Sequence, residues 1–123
     1  MTPALSLAEV VIPCRDVTRQ RAFYERILER PPVEARGGLV RFDLGALFLV
    51  LRARGDALFP REGTPGVMLR FHLPSRDEVE RWHRRLLMSH VAVLEAPGPR
   101  PCGGVEMHVA DPEGNVLALA ASG

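Results

Sequence analysis

The chain has 123 residues, with 16 arginines and no lysine against 15 acids, and a formal net charge of +1. One domain is the default at this length, and folding can bury about two thirds of the unfolded surface without disulfides or a structural metal. An apolar share of 46% and a charged share of 25% exclude a disordered or fibrous chain. The near-neutral balance argues against nucleic acid as a partner, and no apolar run approaches the roughly 20 residues that cross a bilayer. Met1 to Val10 lacks the basic start and long apolar stretch of an export signal, so a cytoplasmic location is expected. Cys14 and Cys102 sit in no Cys-x-x-Cys pattern. Cys14 reads as a small buried hydrophobe and Cys102 as a half-exposed loop residue, with no disulfide expected in a reducing compartment.

In chain order, Glu9–Cys14 predicts a strand, in which Pro13 disfavours a position paired on both sides. Ala22, Phe23 and Ile27 recur at helical spacing after Thr18, the expected N-cap, and Pro31-Pro32 is the expected stop. Three short strands follow, Val33–Arg36, Leu39–Leu44 and Ala46–Ala53, with turns at Gly37-Gly38 and Gly45. Arg54 to Pro65 has loop composition. Then the pattern restarts. Val67–Leu73 predicts a strand, and Ser75 with Glu78 forms a capping box before a helix whose stripe is Val79, Trp82, His83, Leu86 and Leu87. Val91–Glu95 predicts a strand, Ala96–Gly104 a Pro/Gly loop, and Val105–Ala110 and Val116–Ala121 two more strands. An offset of 59 residues lays Val10 on Leu69, Ile12 on Phe71, Cys14 on Leu73, Phe23 on Trp82 and Ile27 on Leu86. Two β-α-β-β-β repeats complete each other's layers more economically than one can.

Asp16-Val17 after the first strand, Phe23-Tyr24 on the helix, and Asp111-Pro112-Glu113-Gly114-Asn115 before an apolar strand resemble the vicinal oxygen chelate superfamily. That group contains glyoxalase I, extradiol dioxygenases, fosfomycin-resistance transferases and bleomycin resistance proteins, and the likeness runs from Leu7 to Ser122. It implies an α+β fold of two βαβββ modules forming a curved sheet around a cavity. The expected limits are 5–58 for module one, 59–65 for a linker and 66–122 for module two. It also implies pairing of modules within one chain or across a homodimer, and the homodimer is the expected state.

Enzymes of that superfamily hold a divalent ion through His, Gln or Glu from four strands. Carried onto this sequence, those positions are Glu9, Leu49, Met68 and Ala118. Leu49 and Ala118 have no lone pair, a thioether suits soft ions, and a catalytic site needs about three protein ligands. The expectation is therefore no metal and no cofactor. Strand alternation places Glu9, Val11 and Pro13 on one face, with Met68, Arg70 and His72 on the equivalent face of the second repeat. Glu106, His108 and Ala110 share a face in the penultimate strand. Glu9, Leu49, Met68, Arg70, His72, Glu106, His108 and Ala118 are thus the candidate ligand-binding residues, and Leu47 and Leu51 are expected beside Leu49. Arg70 reads either as a ligand contact or as a salt-bridge partner of Glu9 or Glu106. His83 and His90 read as surface or capping residues, and Tyr24 as a residue turning its hydroxyl to solvent.

Two classes of function fit. One is metal-independent sequestration of a neutral or anionic small molecule, aromatic compounds included. The alternative is a lyase, dioxygenase or transferase of the same superfamily, working through relocated metal ligands or through acid–base catalysis by His108 or His72.

Overall fold

The computed structural model describes residues 5–64, 66–101 and 103–122, so the expectations for Cys102 lie outside the described residues. These residues fall into two compact units that divide after Thr64. The first contains strand β1 (Glu9–Cys14), helix α1 (Val17–Leu28) and strands β2 (Glu34–Arg36), β3 (Leu39–Asp43) and β4 (Phe48–Ala53). The second contains β5 (Met68–His72), α2 (Arg76–Met88), β6 (Ala92–Pro99), β7 (Val105–Ala110) and β8 (Val116–Ala121). Each unit is a four-stranded sheet, ordered β1-β4-β3-β2 in the first and β5-β8-β7-β6 in the second. The opening strand runs parallel to the last, and the other neighbours are antiparallel. The fold is α+β, and the strand–helix–three-strand order appears twice.

In the first unit, Ile12, Cys14, Val40, Phe42, Leu49 and Leu51 are buried, along with Phe23, Tyr24 and Ile27 of α1. Pro13 is tolerated because β1 is an edge strand, hydrogen-bonded only to β4. Tyr24 corrects the expectation of a solvent-facing hydroxyl. It is fully buried, with its ring edge-on to Phe23 at 5.1 Å between centroids. Asp16 rather than Thr18 caps α1, its carboxylate accepting from the Arg19 N–H at 3.0 Å. The helix also ends before the prolines, at Leu28, where Glu29 enters the left-handed region at φ 56°. An Asp16→Ala variant is expected to lose about 1 kcal/mol, measurable as a lower urea midpoint with an unchanged slope.

In the second unit Ser75 caps α2 as expected, accepting from the Glu78 N–H at 3.2 Å. The Glu78 carboxylate turns to Arg81 at 2.8 Å. Val79, Trp82 and Leu86 are buried, whereas Leu87 is exposed and His83 only half-buried, which narrows the expected stripe. His90 adopts φ 60° after the helix, and its N–H donates to the Leu87 carbonyl, a capping role. The expected loop from Ala96 is instead strand as far as Pro99. Two register shifts interrupt its pairing with β7, between Val93 and Glu95 and between Glu95 and Gly98. An edge strand has one row of amides facing away from the sheet, so Pro97 and Pro99 do not end it.

The segment after β4 is tied back to the first unit. Arg15 donates to the Gly63 carbonyl at 2.8 Å, and Arg54 reaches the Pro60 and Thr64 carbonyls at 3.3 and 3.4 Å. Among the described residues no helix is long and apolar enough to cross a membrane.

Candidate functional site

Strand register decides which side chains share a face. On β5, β8 and β7, Arg70 stands opposite Ala118 and Ala118 opposite His108, while His72, Ala120 and Glu106 form the next row. Glu95 of β6 pairs with His108. The other face, carrying Leu117, Leu119, Met107 and Val109, is buried. Arg70, His72, Glu106, His108 and Ala118 therefore share a face, as strand alternation predicts, and Met68 joins them opposite Val116.

The charges on this face form one connected cluster. Arg70 Nε donates to Glu106 Oε1 at 2.8 Å, and Nη2 lies 3.4 Å from Oε2. The two residues sit on strands separated by β8, so their bridge crosses the buried side chains Ala118 and Ala120. A methyl group at each position leaves room for it. Glu106 Oε2 also meets His108 Nε2 at 2.8 Å. Nδ1 of the same ring lies 3.2 Å from Glu95 Oε1, out of line for a hydrogen bond, and has no hydrogen-bond partner among the described residues. The Glu106 carboxyl is held below its ordinary pKa, first by the hydrogen bond from Arg70, then by the Arg70 charge and by His108, against the opposing effect of burial. Arg70, Glu95, Arg100, Glu106 and His108 surround an open pocket of about 360 Å³, completed by Ala96, Gly98, Pro99 and Pro101.

The first unit carries a related arrangement. Glu9 pairs with Arg41 Nη2 at 3.0 Å, and Arg41 Nη1 lies 3.4 Å from Glu34. The Arg41 guanidinium also covers the Phe48 ring at 4.4 Å. Arg41 occupies the register position that His108 holds in the second unit, and Glu34 that of Glu95. Of the two partners considered for Arg70, the structure selects Glu106 and gives Glu9 to Arg41.

Leu49 requires a correction. It pairs with Val10 and Phe42 on the core face and is buried, as is Leu51. Phe48 and Val50 are the β4 residues on the Glu9 face. Placing Phe48 or Val50 at the fourth-strand position does not restore a donor, because both are hydrocarbon. Glu9 is the one position of the four with a suitable oxygen, and its carboxylate is committed to Arg41. Met68 offers only a half-exposed thioether, and Ala118 a methyl. Among the described residues no three His, Cys, Asp or Glu side chains are grouped so as to hold a metal. The Arg70 guanidinium bound to Glu106 would repel a dication at His108. The residues present do not fit the superfamily's ion.

Glu95 and Arg100 escaped sequence reasoning. Glu95 lies where the bulges of β6 break the alternation, and Arg100 follows the last residue of that strand, so no periodic signal marks either. The available hint was an arginine flanked by prolines, a context that keeps backbone extended rather than coiled.

A family model, Glyoxalase/Bleomycin resistance protein/Dioxygenase superfamily, matches residues 6–119. Among solved structures, that of lactoylglutathione lyase from Agrobacterium tumefaciens is 26% identical, with a TM-score of 0.77, covering 98% of this chain and 96% of its own. A glyoxalase-related enzyme from Fulvimarina pelagi is 19% identical with a TM-score of 0.82, covering 95% and 88%. A glyoxalase/bleomycin resistance protein/dioxygenase from Nocardioides is 18% identical with a TM-score of 0.83, covering 99% and 86%. Among curated proteins none matches. With nearly the whole length matched by the family model, the chain belongs to the glyoxalase/bleomycin resistance protein/dioxygenase superfamily.

Proposed function

We propose that this protein binds a neutral or anionic small molecule, aromatic compounds included, in the open pocket of its second unit, without a metal ion. The observation that carries the reading is the convergence of Arg70, Arg100, Glu106 and His108 on a pocket of about 360 Å³, near the small end of ligand-site volumes. The hydrocarbon and thioether at the superfamily's ligand positions support the metal-independent part. Leu87, Met88 and Leu94 are 52%, 83% and 54% exposed around the α2–β6 connection. An apolar surface of that kind supports a homodimer in which it is covered.

The second reading is an acid–base enzyme. It is favoured by His108, which is held between two carboxylates and so suits proton transfer. The name of the Agrobacterium structure makes a lyase the first activity to assay.

A thermal-shift panel of aromatic acids, aromatic amides and neutral natural products tests the binding reading. The expected result is at least one compound that raises Tm in the wild type and loses its effect in both Arg70→Ala and His108→Ala. Hits that keep their full shift in both variants would place binding elsewhere. Metal content after purification with added Ni, Zn, Mn and Fe is expected to stay well below one ion per chain. A stoichiometric, tightly held ion would overturn metal independence.

A further inference from the structure

Arg100 opens the tight connection between β6 and β7. Its N–H donates to the Gly104 carbonyl at 3.1 Å, and its own carbonyl accepts from the Gly103 N–H at 3.0 Å. The backbone that presents it is therefore held on both sides. The side chain is only 19% exposed, and it lines the pocket.

Its guanidinium is nevertheless poorly served. The nearest carboxylate oxygen, Glu106 Oε1, lies 3.6 Å from Nε, beyond hydrogen-bond range. That oxygen already accepts from Arg70 at 2.8 Å, and Oε2 is taken by His108 at 2.8 Å. Among the described residues no acceptor hydrogen-bonds the Arg100 guanidinium. The Arg100 charge is thus balanced by Glu106 at 3.6 Å while its N–H donors stay without a close protein acceptor, and a ligand that brings oxygens to them gains hydrogen bonds that Glu106 does not supply.

We propose that Arg100 receives the carboxylate of the pocket's ligand, and that this ligand is a small monocarboxylic acid. The inference rests on the binding reading above and deepens it. The planar fork of N–H donors on a guanidinium matches the two oxygens of a carboxylate side by side. The fixed charges around the pocket are Arg70 and Arg100 against Glu95 and Glu106. Arg70 is already bridged to Glu106 at 2.8 Å, so of these two arginines Arg100 is the one with N–H donors to offer a carboxylate, and a second anionic group would meet the glutamates. Ala96, Gly98, Pro99 and Pro101 supply apolar wall for the body of the acid.

The test compares benzoate and hexanoate with benzamide and phenyl phosphate by isothermal titration. The proteins are the wild type, Arg100→Lys and Arg100→Gln. The expected result is that the carboxylates bind the wild type, lose at least tenfold in both variants, and outcompete the amide. Lysine retains the charge but not the fork, so a loss in Arg100→Lys reports recognition rather than net charge. Should either variant misfold, the Arg100 Nε resonance of the wild type, followed during benzoate titration, decides the matter: a saturable shift supports the assignment and an unmoved signal overturns it. Equal affinity for benzamide, tighter binding of phenyl phosphate, or unchanged carboxylate affinity in the variants also overturns it. Neutral compounds that depend on Arg70 and His108 but not on Arg100 would sink the carboxylate assignment while leaving the pocket itself in place. Failure of both carboxylates to bind the wild type overturns the carboxylate assignment, while the binding reading stands or falls on the thermal-shift panel.

Discussion

Asp111→Ala is expected to destabilise the protein by about 3 kcal/mol, seen as a fall of about 10 °C in Tm. Asp111 is 4% exposed and Asn115 3%, and together they build the turn between β7 and β8. One Asp111 carboxylate oxygen accepts from the Glu113 and Asn115 N–H groups at 2.9 Å each, and the other accepts from the Asn115 side-chain amide at 2.9 Å. Asn115 Oδ1 then accepts from the Val67 N–H at 3.3 Å, and the Val116 N–H donates to the Val67 carbonyl at 3.1 Å. The carboxylate thus fastens the turn to the residue preceding β5 as well as to itself. Alanine strands three donors near a buried site, each paired with a charged acceptor before. Asp111→Asn keeps one acceptor oxygen but sets an amide nitrogen against the Asn115 amide, so about half the loss is expected. Equal stability of wild type and Asp111→Ala in urea unfolding would show that water replaces these bonds.

The second large effect is expected at Glu106. Glu106→Ala leaves Arg70, Arg100 and His108 facing one another across a face where Glu106 is 13% exposed. Breaking a buried pair from one side costs about 3–5 kcal/mol, and exposed pairs are worth under about 1. Arg70 is 42% exposed, so solvent screening places the expected loss at about 2 kcal/mol. The sign of the pH dependence follows from the folded protein holding the Glu106 carboxyl below its ordinary pKa, chiefly through the Arg70 hydrogen bond. A depressed acid binds its proton more readily in the unfolded chain. Its stabilisation is therefore complete above the ordinary glutamate pKa of about 4.3 and is lost as pH falls through the lower folded value. The stability difference between wild type and Glu106→Gln should shrink from about pH 5 downward. A difference that stays constant to pH 3 would remove the carboxylate from this role.

Much of the fold was legible because each repeat alternates or winds on its own. Val105–Ala110 and Val116–Ala121 appear with the limits that the apolar pattern predicts, and the 59-residue offset carries β1 onto β5 and α1 onto α2. The Arg70, Glu106 and His108 face was legible for the same reason, since period-two alternation needs no tertiary information. The errors have separate physical causes. Asp16 and Thr18 can both cap a helix, and local sequence does not say which will. Leu49 was misplaced because the register of parallel β1 on β4 is set by packing, not by the residues between them. The Asn115–Val67 link spans 48 positions, which no local pattern encodes. Glu95 lies on a strand whose bulges uncouple facing from numbering, and Arg100 lies just beyond that strand, where no alternation applies.

Those bulges also bear on how the second sheet can grow. Interrupted twice and holding Pro97 and Pro99, β6 is a poor template for any incoming chain. Its counterpart in the first unit, β2, is blunted differently, being three residues long. The opposite border of the second sheet is β5, which contains no proline and bonds to β8 alone within that sheet. Of the two borders of this sheet, the one carrying Arg70 therefore has no proline or bulge of its own to discourage pairing.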